Sequence, residues 1–393
     1  MDAKADSADR NATAEVSLVR GGPFFRVQQA LGLIRLKRWN LGRRVGLLLA
    51  VGWLPLFVIT ALLNPYGLLS LIREYRLHAR MLLAVPALLV GEVLMELRFR
   101  AVMTHIREAG LLDAAGLAHI DEVIAKLIRI RDSILPEMFI VILLVGHTVT
   151  SYRGLVDATA WLGHLSGGEV HLTAAGWYAI VVSTSIFQFL LGLAIWKWLL
   201  WTYFAFKLSK CKLKLMATHP DEHAGLGFLG LTSSAFAPIA FSATAVIAAT
   251  WRNEMLLKGA HLLDFKLPAI VLIVFITLVA LGPLAFFAPR LAEVRRRGIL
   301  EYGILAQLHS TEFHNKWILQ REGHETEFLE TSDSSSLADF GTAYEKIERM
   351  NALLIDKGSL YTLAAAIVIP ALPMILAQVP LGVLISDLLK ALR

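Results

Sequence analysis

The chain has 393 residues, 56% of them hydrophobic and 18% charged, with a net charge of +6 and a mean hydropathy of +0.59. Soluble domains run at about 45–50% apolar and about 25% charged; this composition excludes a disordered or fibrous chain and an ordinary water-soluble enzyme, and points to an integral membrane protein. A single cysteine, Cys211, excludes an intrachain disulfide framework or a thiolate metal centre.

Residues 1–44 are basic, with Phe24, Phe25 and Trp39 interspersed and no clean apolar face at helical spacing, and are read as a membrane-apposed cytoplasmic arm. They are too long and too polar for a cleaved signal peptide. Seven apolar stretches follow, at 45–63, 81–97, 136–152, 176–206, 226–251, 268–289 and 360–379. Each is about long enough, at roughly 20 residues, for a helix to cross a hydrocarbon core of about 30 Å, and the fourth, 176–206, is longer than the core needs. Their apolar runs are unbroken rather than alternating, which predicts helices, and the fold class is an all-α polytopic transmembrane bundle of about seven spans.

Between the second and third stretches, residues 98–135 are predicted to form a cytoplasmic helical hairpin. Phe99, Val102, Met103 and Ile106 recur at helical spacing on one side of Gly110 and Gly116, and Ile120, Val123, Ile124, Leu127, Ile130 and Ile134 on the other. Spans three to six occupy 136–289. The cytoplasmic segment 290–359 starts at Arg295, Arg296 and Arg297 and carries two helical patterns. One is marked by Ile304, Leu305 and Leu308; the other by Leu337, Phe340, Tyr344, Ile347 and Met350, with Asp333 or a serine of 334–336 as its cap. His324–Glu330 between them is acidic and reads as a loop. In 360–393, Pro370, Pro373 and Pro380 crowd the last span, and 381–392 follows as an interfacial helix or the second arm of a re-entrant hairpin.

Lys and Arg number 28 in the segments assigned to the inside and 9 in those assigned to the outside. That bias predicts a cytoplasmic N-terminus and a periplasmic C-terminus. It also accounts for the pI near 9.4 without nucleic acid as a partner.

Ionisable groups within spans are functional candidates. Glu92 and Glu96 stand one turn apart on the second span, and Lys197 lies among Trp196, Trp198 and Trp201 on the fourth. Both spans run in the same direction, which puts Glu92 and Lys197 at similar depth, where they would form a buried ion pair or line one polar cavity. The alternative for Lys197 is a side chain snorkelling to the interface. His147 on the third span could relay protons, but for it and for Gln188 on the fourth a hydrogen bond to a neighbouring helix is favoured. Outside the spans, His219-Pro-Asp-Glu-His-Ala-Gly-Leu-Gly-Phe-Leu-Gly230 is the most distinctive stretch. His219, Asp221, Glu222 and His223 are of the type that holds a divalent metal. Pro220 stands where an HExxH motif needs its glutamate, and a carboxylate capping a helix start is the preferred reading of Asp221.

With this motif, the chain resembles an uncharacterised family of polytopic bacterial inner-membrane proteins that carry an HPDxxGGLGFLG-like stretch. Further matching stretches are Leu127–Ser133, Leu263–Lys266, Arg295–Gly303, Phe313–Trp317 and Ser335–Asp339. The chain departs from the pattern at Ala224, where a glycine is usual, and at Ser334–Ser336. The resemblance implies a location in the bacterial cytoplasmic membrane and brings no catalytic residue. Three classes of function stay open. They are small-solute or ion transport, a membrane scaffold or signalling partner acting through its cytoplasmic helices on a protein partner or a second copy, and a membrane-embedded metal-dependent enzyme. The last requires His219, Asp221, Glu222 and His223 to converge with a further group such as His105 or His309.

Overall fold

The computed structural model describes residues 17–34, 39–151, 161–166, 169–319 and 333–378. Helix α1, Pro23–Ala30, begins on a proline, whose missing N–H is no loss at a helix start. Helix α2, Leu41–Leu63, is interrupted at Trp53, just before Pro55. Proline cannot donate to the carbonyl four residues back, here that of Val51. The Tyr178 hydroxyl donates to that carbonyl at 2.5 Å, and Ser183 Oγ donates to the next one, of Gly52. A broken turn at membrane level thus has its carbonyls satisfied by a neighbouring helix, as a medium without water requires.

Helix α3, Val85–Glu108, continues from a π-helical stretch at Ala79–Ala84 and runs through Glu92 and Glu96 into the predicted hairpin. Gly110 closes the turn at φ 63°, a left-handed conformation that glycine adopts without a Cβ clash. Asp113 then caps α4, Ala114–Asp132, by accepting from the N–H of Gly116 at 2.8 Å. The hairpin is built as its periodicity predicts: Phe99, Val102, Met103 and Ile106 of α3 are buried, as are Ile120, Val123, Ile124 and Leu127 of α4. Ile134 lies beyond the end of α4 and is exposed.

Helix α5, Leu135–Ser151, has 17 residues. A short antiparallel hairpin, β1 Gly163–Ser166 with β2 Glu169–Leu172, follows, and the sequence reading did not anticipate it. Thr173 ends it and caps α6, Ala174–Lys210, through the N–H of Gly176. Helices α7, Gly227–Lys258, and α8, Leu262–Ala285, complete the central group. Outside it, α9, Ala288–His314, pairs with α10, Asp333–Arg349. Ile347 is fully buried in that pairing, and Phe340 stacks on Tyr302 at 6.3 Å. Helix α11, Lys357–Ile375, is capped by Asp356, contains Pro370 and Pro373, and packs along α7.

The chain is an all-α bundle with an integral membrane character. Among the described residues, five helices, α2, α6, α7, α8 and α11, are long and apolar enough to cross a bilayer, against the seven stretches expected. The other two stretches are helical as well. The one at 81–97 carries Glu92 and Glu96, and the one at 136–152 falls in the shorter α5. The end of the seventh expected stretch and the expected interfacial helix at 381–392, like the acidic stretch around His324, lie outside the described residues.

The largest departure from expectation concerns the basic arm. Its part from Ser17 to Ile34 does not merely lie against the bundle; Ser17, Leu18 and Val19 are buried in the main apolar core. Polar contacts hold it there rather than an apolar stripe. Phe24 N–H donates to both carboxylate oxygens of Glu137 at 3.0 Å, Gly22 N–H to Asp132 at 2.9 Å, and the Arg131 guanidinium to the Ser17 carbonyl.

Candidate functional site

Glu92 stands at the centre of the most heavily charged buried region. Its side chain is 10% exposed on α3 and faces two cations from other helices. Lys197 Nζ on α6 donates to Oε1 at 2.5 Å, and Arg44 Nη2 on α2 donates to Oε2 at 2.5 Å. The ion pair expected from the matched depths of Glu92 and Lys197 is therefore present, with a third member that sequence reasoning missed. Arg44 is the last of the basic residues that precede the first apolar stretch. It is 1% exposed, its Nε donates to Gln28 of α1 at 2.7 Å, and its guanidinium lies 5.9 Å from the Trp39 ring centre. The one available signal was position: Arg44 immediately precedes the apolar run and is the arginine one turn from Asn40, where α2 begins.

One turn along α3, Glu96 repeats the arrangement. It is 1% exposed and accepts from Arg100 Nε at 2.6 Å and from Ser17 Oγ, with Arg20 Nε at 3.6 Å. Glu96 is sealed by the N-terminal arm. Such arrangements answer a physical demand, because a carboxylate without partners in a low-dielectric interior costs several kcal/mol. Glu92 has cationic donors from two other helices, whereas Glu96 has one, Arg100 of its own helix, beside the neutral Ser17 hydroxyl and the more distant Arg20 guanidinium. Little free space adjoins them. Two cavities of about 20 Å³ border Lys197, one closed by Phe24 beside Glu92 and the other by Leu18 and Val19 beside Trp198 and Trp201. Each is about the size of one water molecule.

His147 and Gln188 meet one another, Gln188 Nε2 standing 3.1 Å from His147 Nδ1 across α5 and α6. His147 is exposed on the outer face of the bundle.

The stretch from His219 is a loop organised by its own backbone. Asp221 Oδ1 accepts from the N–H groups of His223 at 2.9 Å and Gly225 at 3.1 Å, and Oδ2 from that of Gly227 at 2.8 Å. His219 Nδ1 adds a contact of 2.8 Å. Burial pushes the Asp221 carboxyl up, but the N–H donors of His223, Gly227 and Gly225 and the His219 ring outweigh it and hold the group below the ordinary carboxylate value. The loop folds tightly enough to place Glu222 and Ala224 at φ 55° and Gly225 at φ 93°. A glycine at position 224 would adopt this φ without the Cβ clash that Ala224 carries. Gly230 packs against the linker before α11, where an added Cβ would lie 3.2 Å from Asp356 N and from Leu354 O.

Asp221 thus organises the loop and reaches one N–H group of α7, that of its first residue, Gly227. His223 Nδ1 is turned to the Asp221 carbonyl at 2.6 Å, and Glu222 contributes its backbone carbonyl to Asn351 N–H at 3.0 Å. His105 lies against Phe228 at 4.1 Å and His309 against Phe340 at 6.2 Å. Among the described residues, no three His, Cys, Asp or Glu side chains are grouped so as to hold a metal ion. The convergence that the metal-dependent reading requires is not made. No protein-family model, curated protein or solved structure matches the chain.

Proposed function

We propose that the protein moves a small solute or ion across the bacterial cytoplasmic membrane, with Glu92 as the group whose pairing changes during transfer. The observation that carries this reading is the Arg44–Glu92–Lys197 triad. Ionisable side chains at membrane level are expensive, and they occur chiefly where they line a pathway or relay charge. A carboxylate shared between cations on two different helices can also exchange one partner for the other as those helices move, which is the bistable element that alternating access needs. The small cavities beside Lys197 suit an occluded state of one chain, or a path completed by a second copy. The N-terminus is placed in the cytoplasm on the strength of the Lys and Arg distribution.

The test is flux in liposomes holding the full chain, under imposed proton, sodium, potassium and chloride gradients in turn. Wild-type protein should raise at least one flux above that of empty liposomes, and Glu92→Gln should lower it at least about tenfold in liposomes holding equal amounts of folded protein. Wild-type protein indistinguishable from empty liposomes in all four gradients would sink the reading. A scaffold is the second reading, favoured by one observation: Leu300, Ile304 and Leu308 form an apolar stripe along α9 that is 57–64% exposed. Such a stripe suits a partner helix.

A further inference from the structure

A third cavity, of about 440 Å³, lies at the far end of α3 from Glu96. Three segments wall it: Tyr75–Leu83 leading into α3, Ala245–Arg252 in the last turns of α7, and Pro370–Met374 in α11. The alanines of α7 leave the trough open where larger side chains would fill it, and Pro370 and Pro373 line the opposite wall. Leu82 and Leu83 are 41% and 46% exposed, so the trough opens sideways along the apolar length of the bundle. Its volume is in the range of roughly 300–1,000 Å³ typical of ligand sites.

One end of the trough is cationic. Arg252 lies there, its guanidinium 5.9 Å from the Tyr75 ring centre. The nearby Glu74 is buried and is ion-paired with Arg76, its Oε1 accepting from Arg76 at 2.8 Å and from Asn253 at 2.7 Å. His78 is engaged as well, Nδ1 accepting from Trp53 at 3.2 Å and Nε2 standing 3.0 Å from the Ile72 carbonyl. Among the described residues no carboxylate pairs with Arg252. An apolar trough along the bilayer, ending in an uncompensated guanidinium near the last turns of a membrane helix, is complementary to one kind of molecule. That molecule has an acyl chain and an anionic phosphate headgroup.

We propose that this groove is a specific site for one anionic phospholipid, with its phosphate on Arg252 and the Tyr75 hydroxyl and one acyl chain lying along Leu82, Leu83 and Ala249. The site is independent of the transport reading and of which face of the membrane it occupies.

Native mass spectrometry of the detergent-purified full chain tests it, by titration with phosphatidylglycerol or phosphatidylcholine of identical acyl chains. The first phosphatidylglycerol should bind at least about tenfold more tightly, a difference of about 1.4 kcal/mol. Arg252→Gln should abolish the preference, Arg252→Lys should keep part of it, and Ala249→Leu should weaken both lipids by filling the trough. Equal binding of the two lipids to wild type, an undiminished preference in Arg252→Gln, or unchanged affinities in Ala249→Leu would each overturn the proposal. If Arg252→Gln fails to fold, the wild-type preference and the Ala249→Leu affinities decide. Millimolar glycerol phosphate should not displace the lipid; displacement would show headgroup binding alone and remove the acyl trough from the site.

Discussion

Glu92 and Asp221 are each held by several donors, and they are held in opposite ways. Glu92 is surrounded by charges brought from afar, Arg44 lying 48 positions away in the chain and Lys197 105. Asp221 is surrounded by its own neighbourhood, its backbone donors lying within six residues. The difference separates a tertiary device from a local one. Asp221 can organise its loop as soon as that loop forms, because satisfying a few nearby N–H groups needs little else. Glu92 is stable only when α2, α3 and α6 are all in place, since the loss of either cation leaves a buried charge short of a partner. For that reason Glu92 can respond to helix movement and Asp221 cannot.

The comparison is broken most directly at Glu92. Glu92→Ala leaves Arg44 and Lys197 facing one another without their shared anion, and should cost about 3–5 kcal/mol of unfolding free energy in mixed-micelle titrations. If that substitution cost no more than a typical exposed change, the triad would not be the keystone of the three helices.

Asp221→Ala should cost less, about 2–3 kcal/mol, because the freed N–H groups lie at the edge of the bundle, where water can reach some of them. The pH dependence sharpens the distinction. The folded Asp221 carboxyl titrates below its ordinary value. Its stabilising contribution is therefore complete above the unfolded value of about 3.9 and is lost as pH falls from there through the lower folded value. Acid unfolding curves of Asp221→Asn and wild type should consequently converge as the pH drops into that window. Curves that stay parallel would remove the charge from the account of the loop.

The smallest effect belongs to a neutral group. Ser183→Ala deprives the Gly52 carbonyl of its donor beside the Pro55 break in α2. It should cost about 1 kcal/mol, the ordinary net worth of one hydrogen bond. A cost near that of Glu92→Ala would mean that repair of the broken turn, rather than the charge triad, organises α2 against α6.

Periodicity located helices without telling which of their apolar faces are covered. The apolar spacing of Phe99, Val102, Met103 and Ile106 correctly marked a buried face, whereas the same logic at Ile304, Leu305 and Leu308 marked a face that this chain leaves exposed. The pattern specifies that a helix has an apolar side; it does not specify what covers that side. The basic arm failed in the reverse sense. It has no apolar stripe to read, yet Leu18 and Val19 are core residues, because the arm is docked by single N–H groups onto Asp132 and Glu137. Contacts of that kind depend on backbone direction, and residue type alone does not encode them. At the candidate site, the pairing of Glu92 with Lys197 could be argued from span lengths and direction, and the cap at Asp221 from the glycines after it. Arg44 and Gln28 could not, since their roles depend on how α1 and α2 lie against α3.

Read alone, the sequence determined the membrane character, the helical class, the approximate extent of the helices, and the shared depth of Glu92 and Lys197. Hydropathy and helical period are properties of a short window, and a bilayer imposes one length and one backbone solution on any apolar stretch. Only the tertiary structure decided the triad with Arg44, the sealing of Glu96 by the arm, the uncovered stripe on α9 and the groove at Arg252. Each of these depends on the rotation of a helix about its axis and on the neighbour it meets, which are set by long-range packing and charge pairing that no short window contains.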